Sequence, residues 1–207
     1  GRPEKEILGE GLITLVGTLL LFLVRPVKEE LQKRLFKPDY LFTPHMLMLL
    51  PLVFGAYYLQ AQVFTAMNIA IVSLLGIGFM PLIISALKVS NIVGAFGSGT
   101  LAGWYEKSLL LLGLVVMALC GVAVFTLLST PTSLLFGAIL LGFSMAAIYP
   151  VTLAWLKEKL PEDEYLYALG AFYVYTNVAM IIAIGANLHF SANGSFIPGA
   201  VALLLAI

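Results

Sequence analysis

Charge is what this sequence has least of. Lys and Arg number 11, Asp and Glu 11, together 11% of 207 residues, while 61% are hydrophobic. Soluble domains carry about 25% charged residues. So little polar surface cannot cover a water-soluble fold, so the surface must face lipid. The net charge is zero, which argues against nucleic acid as a partner. Cysteine is nearly absent: Cys120 stands alone, which excludes an intrachain disulfide framework and any multi-cysteine metal site. Within MALCGVAVF it reads as plain packing. Histidine is scarce too. His45 and His189 fall near opposite faces of the predicted membrane, so they share neither a metal nor a triad. There is no HExxH motif and no cluster of intramembrane carboxylates. The expectation is therefore not an enzyme, with no metal and no cofactor. An initiating methionine is missing, and the sequence stops inside the apolar run AVALLLAI. It reads as a piece of a longer protein. No signal peptide is visible, because the first apolar run is too long and ends in a basic loop.

What is abundant is apolar runs of membrane length. Crossing hydrocarbon takes about 20 residues, with roughly 17 as the lower limit. Residues 7–24 give a first span. Residues 25–39, RPVKEELQKRLFKPD, are the most charged stretch. They read either as a short amphipathic surface helix, with Leu31, Leu35 and Phe36 on one side, or as a solvated linker. Residues 40–103 contain one charge, Lys88. Two long helices fit, near 41–70 and 79–103, with the turn at Leu75–Pro81, where glycines and a proline cluster. Three shorter helices also fit the length. GWYEKS, 103–108, is a charged turn. Spans then fall at 109–129, 134–156 and 165–187, and a last one begins at 196–207. Their connections alternate: uncharged at 129–133, charged at 157–164, uncharged at 188–195.

The distribution of charge decides the helix count. Loops 25–39, 104–108 and 157–164 hold eight of the eleven Lys and Arg. With two helices between 40 and 103, every charged loop lies on one side of the membrane and every uncharged loop on the other. The positive-inside rule makes the charged side cytoplasmic. Arg2 and Lys5 are the exception, lying on the far side.

A few polar residues stand inside these spans. Lys88 would lie about 9 Å along a helix starting near Pro81. It either faces a cavity or partner or snorkels to the interface. Gln60, Gln62 and Asn68 put amides into one apolar helix, where each must be satisfied by protein or water. Gln62 and Asn68 are about 240° apart around it, Gln60 and Asn68 about 80°. Such amides either line a cavity or make interhelical hydrogen bonds. Tyr149, Tyr173, Tyr175 and Asn177 offer hydroxyls and an amide near mid-helix, and Pro150 removes a backbone N–H beside them. Bent helices near the midplane are where transporters seat substrates. The alternative is that Pro150 is only a kink and the tyrosines only pack. Tyr165 and Tyr167 suit the interfacial belt. Gly94, Gly97, Gly99 and Gly103 suit close helix approach. No strand precedes them, so they are not a nucleotide loop.

This pattern resembles the C-terminal half of a major facilitator superfamily transporter. Residues 25–39 resemble its charged central loop and the later spans its helices seven to twelve. Residues 7–24 would be helix six or an inserted helix. Two stretches are similar to proton-coupled oligopeptide transporters. QVFTAMN, Gln62 to Asn68, matches a helix-seven segment in which an asparagine follows a glutamine by six. Pro150, Leu153, Lys157 or Lys159, Leu160 and Pro161, then Gly170, Phe172 and Tyr173, match the hairpin of helices ten and eleven. The sequence departs where that family carries a glutamate five residues before the proline; here the position is Met145.

The resemblance implies an all-α, polytopic membrane helix bundle: a six-helix half of a major facilitator fold plus one preceding helix. Residues 1–24 are the preceding helix, 25–39 the central loop and 40–207 the bundle, with its last helix truncated. The implied function is secondary active transport of a small solute by alternating access. The substrate would be peptide-like and the coupling proton symport. The partners would be the lipid bilayer and the missing N-terminal half of the same chain. Gln62, Asn68, Lys88, Tyr149 and Asn177 are the expected substrate-binding residues, with Pro150 as the helix kink. A non-transporting receptor or assembly subunit is the alternative.

Overall fold

The computed structural model describes residues 37–207, less 65, 129 and 187–195. The expected first span and most of the loop 25–39 lie outside the described residues. A 3-10 turn, Pro38–Phe42, precedes α1 (Pro44–Phe64) and α2 (Ala66–Leu75). A second 3-10 turn, Ile77–Phe79, leads into α3 (Met80–Trp104). Then come α4 (Lys107–Leu127), α5 (Pro131–Lys159), α6 (Glu162–Ala186) and α7 (Ile197–Leu204). Five of these segments are long and apolar enough to cross a membrane.

Local chemistry sets the boundaries. Proline occupies the first turn of α3, α5 and α7, where its missing N–H would have no helical partner anyway. At the start of α5, Thr130 and Ser133 cap each other reciprocally, each side chain bonding the other's backbone N–H. Gly76 adopts φ +81°, the one positive φ among the described residues, and there the chain leaves α2. Between 40 and 103 the chain thus turns at 76–79, inside the stretch where glycines and proline cluster. α5 runs on to Lys159, so the first charges of the expected 157–164 turn are helical.

Packing divides the helices into two groups. α5 makes its largest contacts with α3 and α4, and α1 makes its largest with α6 and α7. Between the groups, α5 touches α1 and α6 only sparsely. Within the first group, backbones meet. A Cβ on Gly94 of α3 would stand 2.4 Å from the Phe143 carbonyl oxygen of α5, and one on Gly142 would stand 2.6 Å from that of Leu87. Ser90 Oγ donates to the Ile139 carbonyl across the same contact at 2.6 Å. Gly121 and Gly137 bring α4 against α5 less closely: a Cβ on Gly121 would stand 2.9 Å from the Leu141 side chain, and one on Gly137 3.2 Å from the Gly121 carbonyl oxygen. In the second group, Gly55 and Gly199 bring α1 against α7. Of the four glycines expected to ease helix approach in α3, only Gly94 does so. Gly97, Gly99 and Gly103 face open space. Cys120, expected to be packed, is exposed on α4.

Contacts tie the charged turns together at one end. Lys107 pairs with Glu158 at 2.6 Å, and Trp155 Nε1 donates to Ser108 Oγ at 3.2 Å; both join α4 to α5. The segment before α1 clasps α6. Tyr40 donates to Glu164 at 3.2 Å, Tyr175 donates to the Leu41 carbonyl, and the Lys37 ammonium lies 5.0 Å over the Tyr167 ring.

Candidate functional site

An aromatic cluster fills the sparse seam between the two groups. Tyr57 comes from α1, Tyr149 from α5, and Phe172 and Tyr173 from α6. Phe172 is the buried centre. Its ring centroid lies 5.8 Å from Tyr57, 5.6 Å from Tyr149 and 6.1 Å from Tyr173. Tyr57 and Tyr149 are 6.5 Å apart. Three of these four pairs meet edge to face, at 82° to 85°, the arrangement in which the positive edge of one ring meets the negative face of the next.

Polar groups sit on the rim of the cluster. The hydroxyls of Tyr149 and Tyr173 are 2.9 Å apart and bridge α5 to α6. One donates to the other, so the pair keeps one O–H hydrogen and lone pairs for a third partner. Asn177, one turn beyond Tyr173 and exposed, donates through Nδ2 to the Tyr173 carbonyl at 2.7 Å. Its Oδ1 and second N–H hydrogen are left over. Tyr173 is 47% exposed.

The depth of the group follows from helix rise. Tyr149 lies ten residues from the α5 end at Lys159, about 15 Å at 1.5 Å per residue. Tyr173 lies eleven residues into α6 from Glu162, about 17 Å. The hydrocarbon core is about 30 Å thick, so with the charged helix ends at the membrane surface both residues would fall near its middle. A polar surface at that depth cannot face lipid and needs water, protein or a ligand.

Of the expected residues, Tyr149 meets the hydroxyl of Tyr173 and Asn177 meets its backbone carbonyl, the two ends of one residue. Pro150 lies inside α5, beside Tyr149. Gln62 is fully buried, and its Nε2 donates to the Ala183 carbonyl of α6 at 2.7 Å; that is the interhelical bond of the packing reading. Lys88 is exposed on α3, one residue after the Leu87 carbonyl that meets Gly142. The side chain of Asn68 lies outside the described residues. Tyr57 was missed. Its neighbour Tyr58 is fully buried, stacked on Phe54 and packed on Ala179 and Ala183. The Tyr57–Tyr58 pair in an apolar helix was the available signal. No group of three or more His, Cys, Asp or Glu suited to a metal exists among the described residues.

Comparison with known proteins adds one match. The family model described as Major Facilitator Superfamily matches residues 7–184. No curated protein and no solved structure matches the chain.

Proposed function

We propose that this chain, which belongs to the Major Facilitator Superfamily, carries half of a solute path, with the Tyr149–Tyr173 pair on its wall. Members of the family are membrane transporters, and the chain is a multi-pass integral membrane protein. The mechanism is alternating access: two six-helix halves rock around a midplane site, this chain being the C-terminal half and the N-terminal half of the same polypeptide closing the path. The observation that carries the reading is the exposed hydroxyl pair with Asn177 at mid-membrane depth. The charged turns lie in the cytoplasm, by the positive-inside rule.

Asn177 and the hydroxyl pair bind the solute. Lys88 and Asn68 are further candidates, and Gln62 holds α1 to α6 behind the site. Proton symport follows from the family resemblance, and the ionisable groups for it reside in the N-terminal half. A peptide-like solute would need partners for two charged ends, and a buried methionine, Met145, stands where the peptide transporters carry glutamate.

The test is solute counterflow by the full-length protein in vesicles. Tyr149→Phe and Tyr173→Phe each remove one hydroxyl and keep the ring. Each is expected to cut counterflow at least tenfold while costing no more than the about 0.6–1.7 kcal/mol of one interhelical hydrogen bond. Wild-type counterflow in both variants would overturn the site. An absence of any counterflow in the wild type, under any gradient, would favour a receptor.

A further inference from the structure

We infer that a trough between α3 and α4 holds a phospholipid of the cytoplasmic leaflet by one acyl chain. The site is separate from the solute path. The aromatic cluster is built from α1, α5 and α6, and neither α3 nor α4 gives it a ring.

The trough follows from how these helices pack. α3 ends at Trp104 and α4 begins at Lys107, so the two are close neighbours in sequence. They barely touch each other, because each packs on α5 instead. The space between them amounts to about 390 Å³ and its lining is almost wholly apolar. Leu101 and Tyr105 line one side, Leu109, Gly113 and Met117 the other, with Phe143 of α5 between.

Its length is that of one leaflet. Leu109 and Met117 lie about 3 and 15 Å along α4 from Lys107. The Phe143 backbone meets Gly94, which stands ten residues, about 15 Å, before the end of α3 at Trp104. The trough therefore runs from the charged helix ends to a depth of about 15 Å, half of a hydrocarbon core about 30 Å thick. There a second apolar trough takes over, lined by Val93, Val89 and Leu82, and Phe143 lines both. A helix of the missing half, or of a second copy, would need one unbroken trough about 30 Å long. Two troughs that meet at mid-membrane fit acyl chains, which end there.

Gly113 supplies the depth. It interrupts the leucines of α4, and glycine inside a helix costs stability. Unlike Gly94 and Gly142 it eases no helix contact, since a Cβ there would meet nothing within 4 Å. Its missing side chain leaves room in the trough. At the mouth stand Trp104 and Tyr105, both exposed, the aromatic pair that suits the headgroup level.

The experiment is native mass spectrometry of the purified full-length protein in detergent with added dioleoylphosphatidylcholine. Gly113→Trp fills the trough and is expected to hold one phospholipid fewer than the wild type. Val116→Trp, on the same helix, exposed and outside the lining, is expected to hold as many as the wild type. Unfolding by SDS without added phospholipid is expected to be the same for Gly113→Trp and wild type. Gly113→Leu is a second variant should the first fail to fold. Equal phospholipid counts in Gly113→Trp and wild type would overturn the site. An equal loss from Val116→Trp would reduce it to ordinary surrounding lipid. An unchanged count with earlier unfolding of Gly113→Trp would give the trough to a protein segment instead.

Discussion

Gly94→Ala should loosen the contact between α3 and α5. The new Cβ would sit 2.4 Å from the Phe143 carbonyl oxygen and 2.9 Å from its Cα, whereas ordinary contact begins near 3.4 Å. The obstacle is backbone in a helix, which cannot rotate away as a side-chain tip can. The helices must therefore part locally by about 0.6–1 Å, a shift of the kind that overpacking costs of about 1–3 kcal/mol reflect. Ser90 Oγ lies one turn away, 2.6 Å from the Ile139 carbonyl, and the same shift stretches that bond toward its limit. Hydrogen bonds between membrane helices average about 0.6 kcal/mol. Alanine recovers about 0.5–1 kcal/mol through its better helix propensity. The net expectation is a loss of about 1–3 kcal/mol. Gly97→Ala is the internal control. Nothing lies within 4 Å of a Cβ there, so it should be neutral or slightly stabilising. Gly142→Ala meets the Leu87 oxygen at 2.6 Å and wedges the same interface. The double variant should therefore lose less than the sum of the singles, since the first wedge has already parted the helices. The assay is unfolding of the full-length protein in mixed micelles by SDS titration. If Gly94→Ala unfolds like Gly97→Ala, the backbones do not approach as described.

Two further outcomes follow from single contacts. Gln62→Leu removes the bond to Ala183 and keeps the volume, so it should cost about 0.6–1.7 kcal/mol in the same titration and leave solute affinity unchanged. A loss of affinity at full stability would instead make Gln62 a binding residue. Tyr40→Phe breaks the bond to Glu164 and should increase labelling, by a water-soluble maleimide, of a cysteine placed at the half-buried Leu41, whose carbonyl Tyr175 holds. Unchanged labelling would mean that the clasp on α6 does not depend on that bond.

Much of the fold was legible because the solvent is lipid. Runs such as 109–129 must be helices of membrane length, and Gly76 with Pro81 marks the turn between two of them. Which way each helix faces was hidden for the same reason. In water, polar residues mark the outer face; in lipid, both faces are apolar. Gly94 and Gly97 therefore look alike in sequence, yet one touches backbone and the other nothing. Cys120 among alanines and valines gave no sign that it points outward. Tyr149 and Asn177 were visible because polarity inside a span is rare. Tyr57 was obscured by Tyr58, and only packing separates the half-buried ring from the fully buried one. Gln62 read either as a cavity group or as an interhelical bond because an amide at depth is satisfied equally by water or by a carbonyl; its Nε2 meets the Ala183 carbonyl.

The glycine contacts also limit how many moving parts this bundle has. Where backbone rests on backbone, as between α3 and α5, there is no side chain to yield, so those two helices shift as a block. Across the seam, α6 packs on α1. The compliance left is relative slip along the seam, where a displacement of about 0.5 Å takes the Tyr149–Tyr173 contact out of hydrogen-bond range. The two hydroxyls thus act as a strain gauge on the joint: their separation reports how the α3–α5 pair sits against α6, and a molecule inserted between them would press on both sides together.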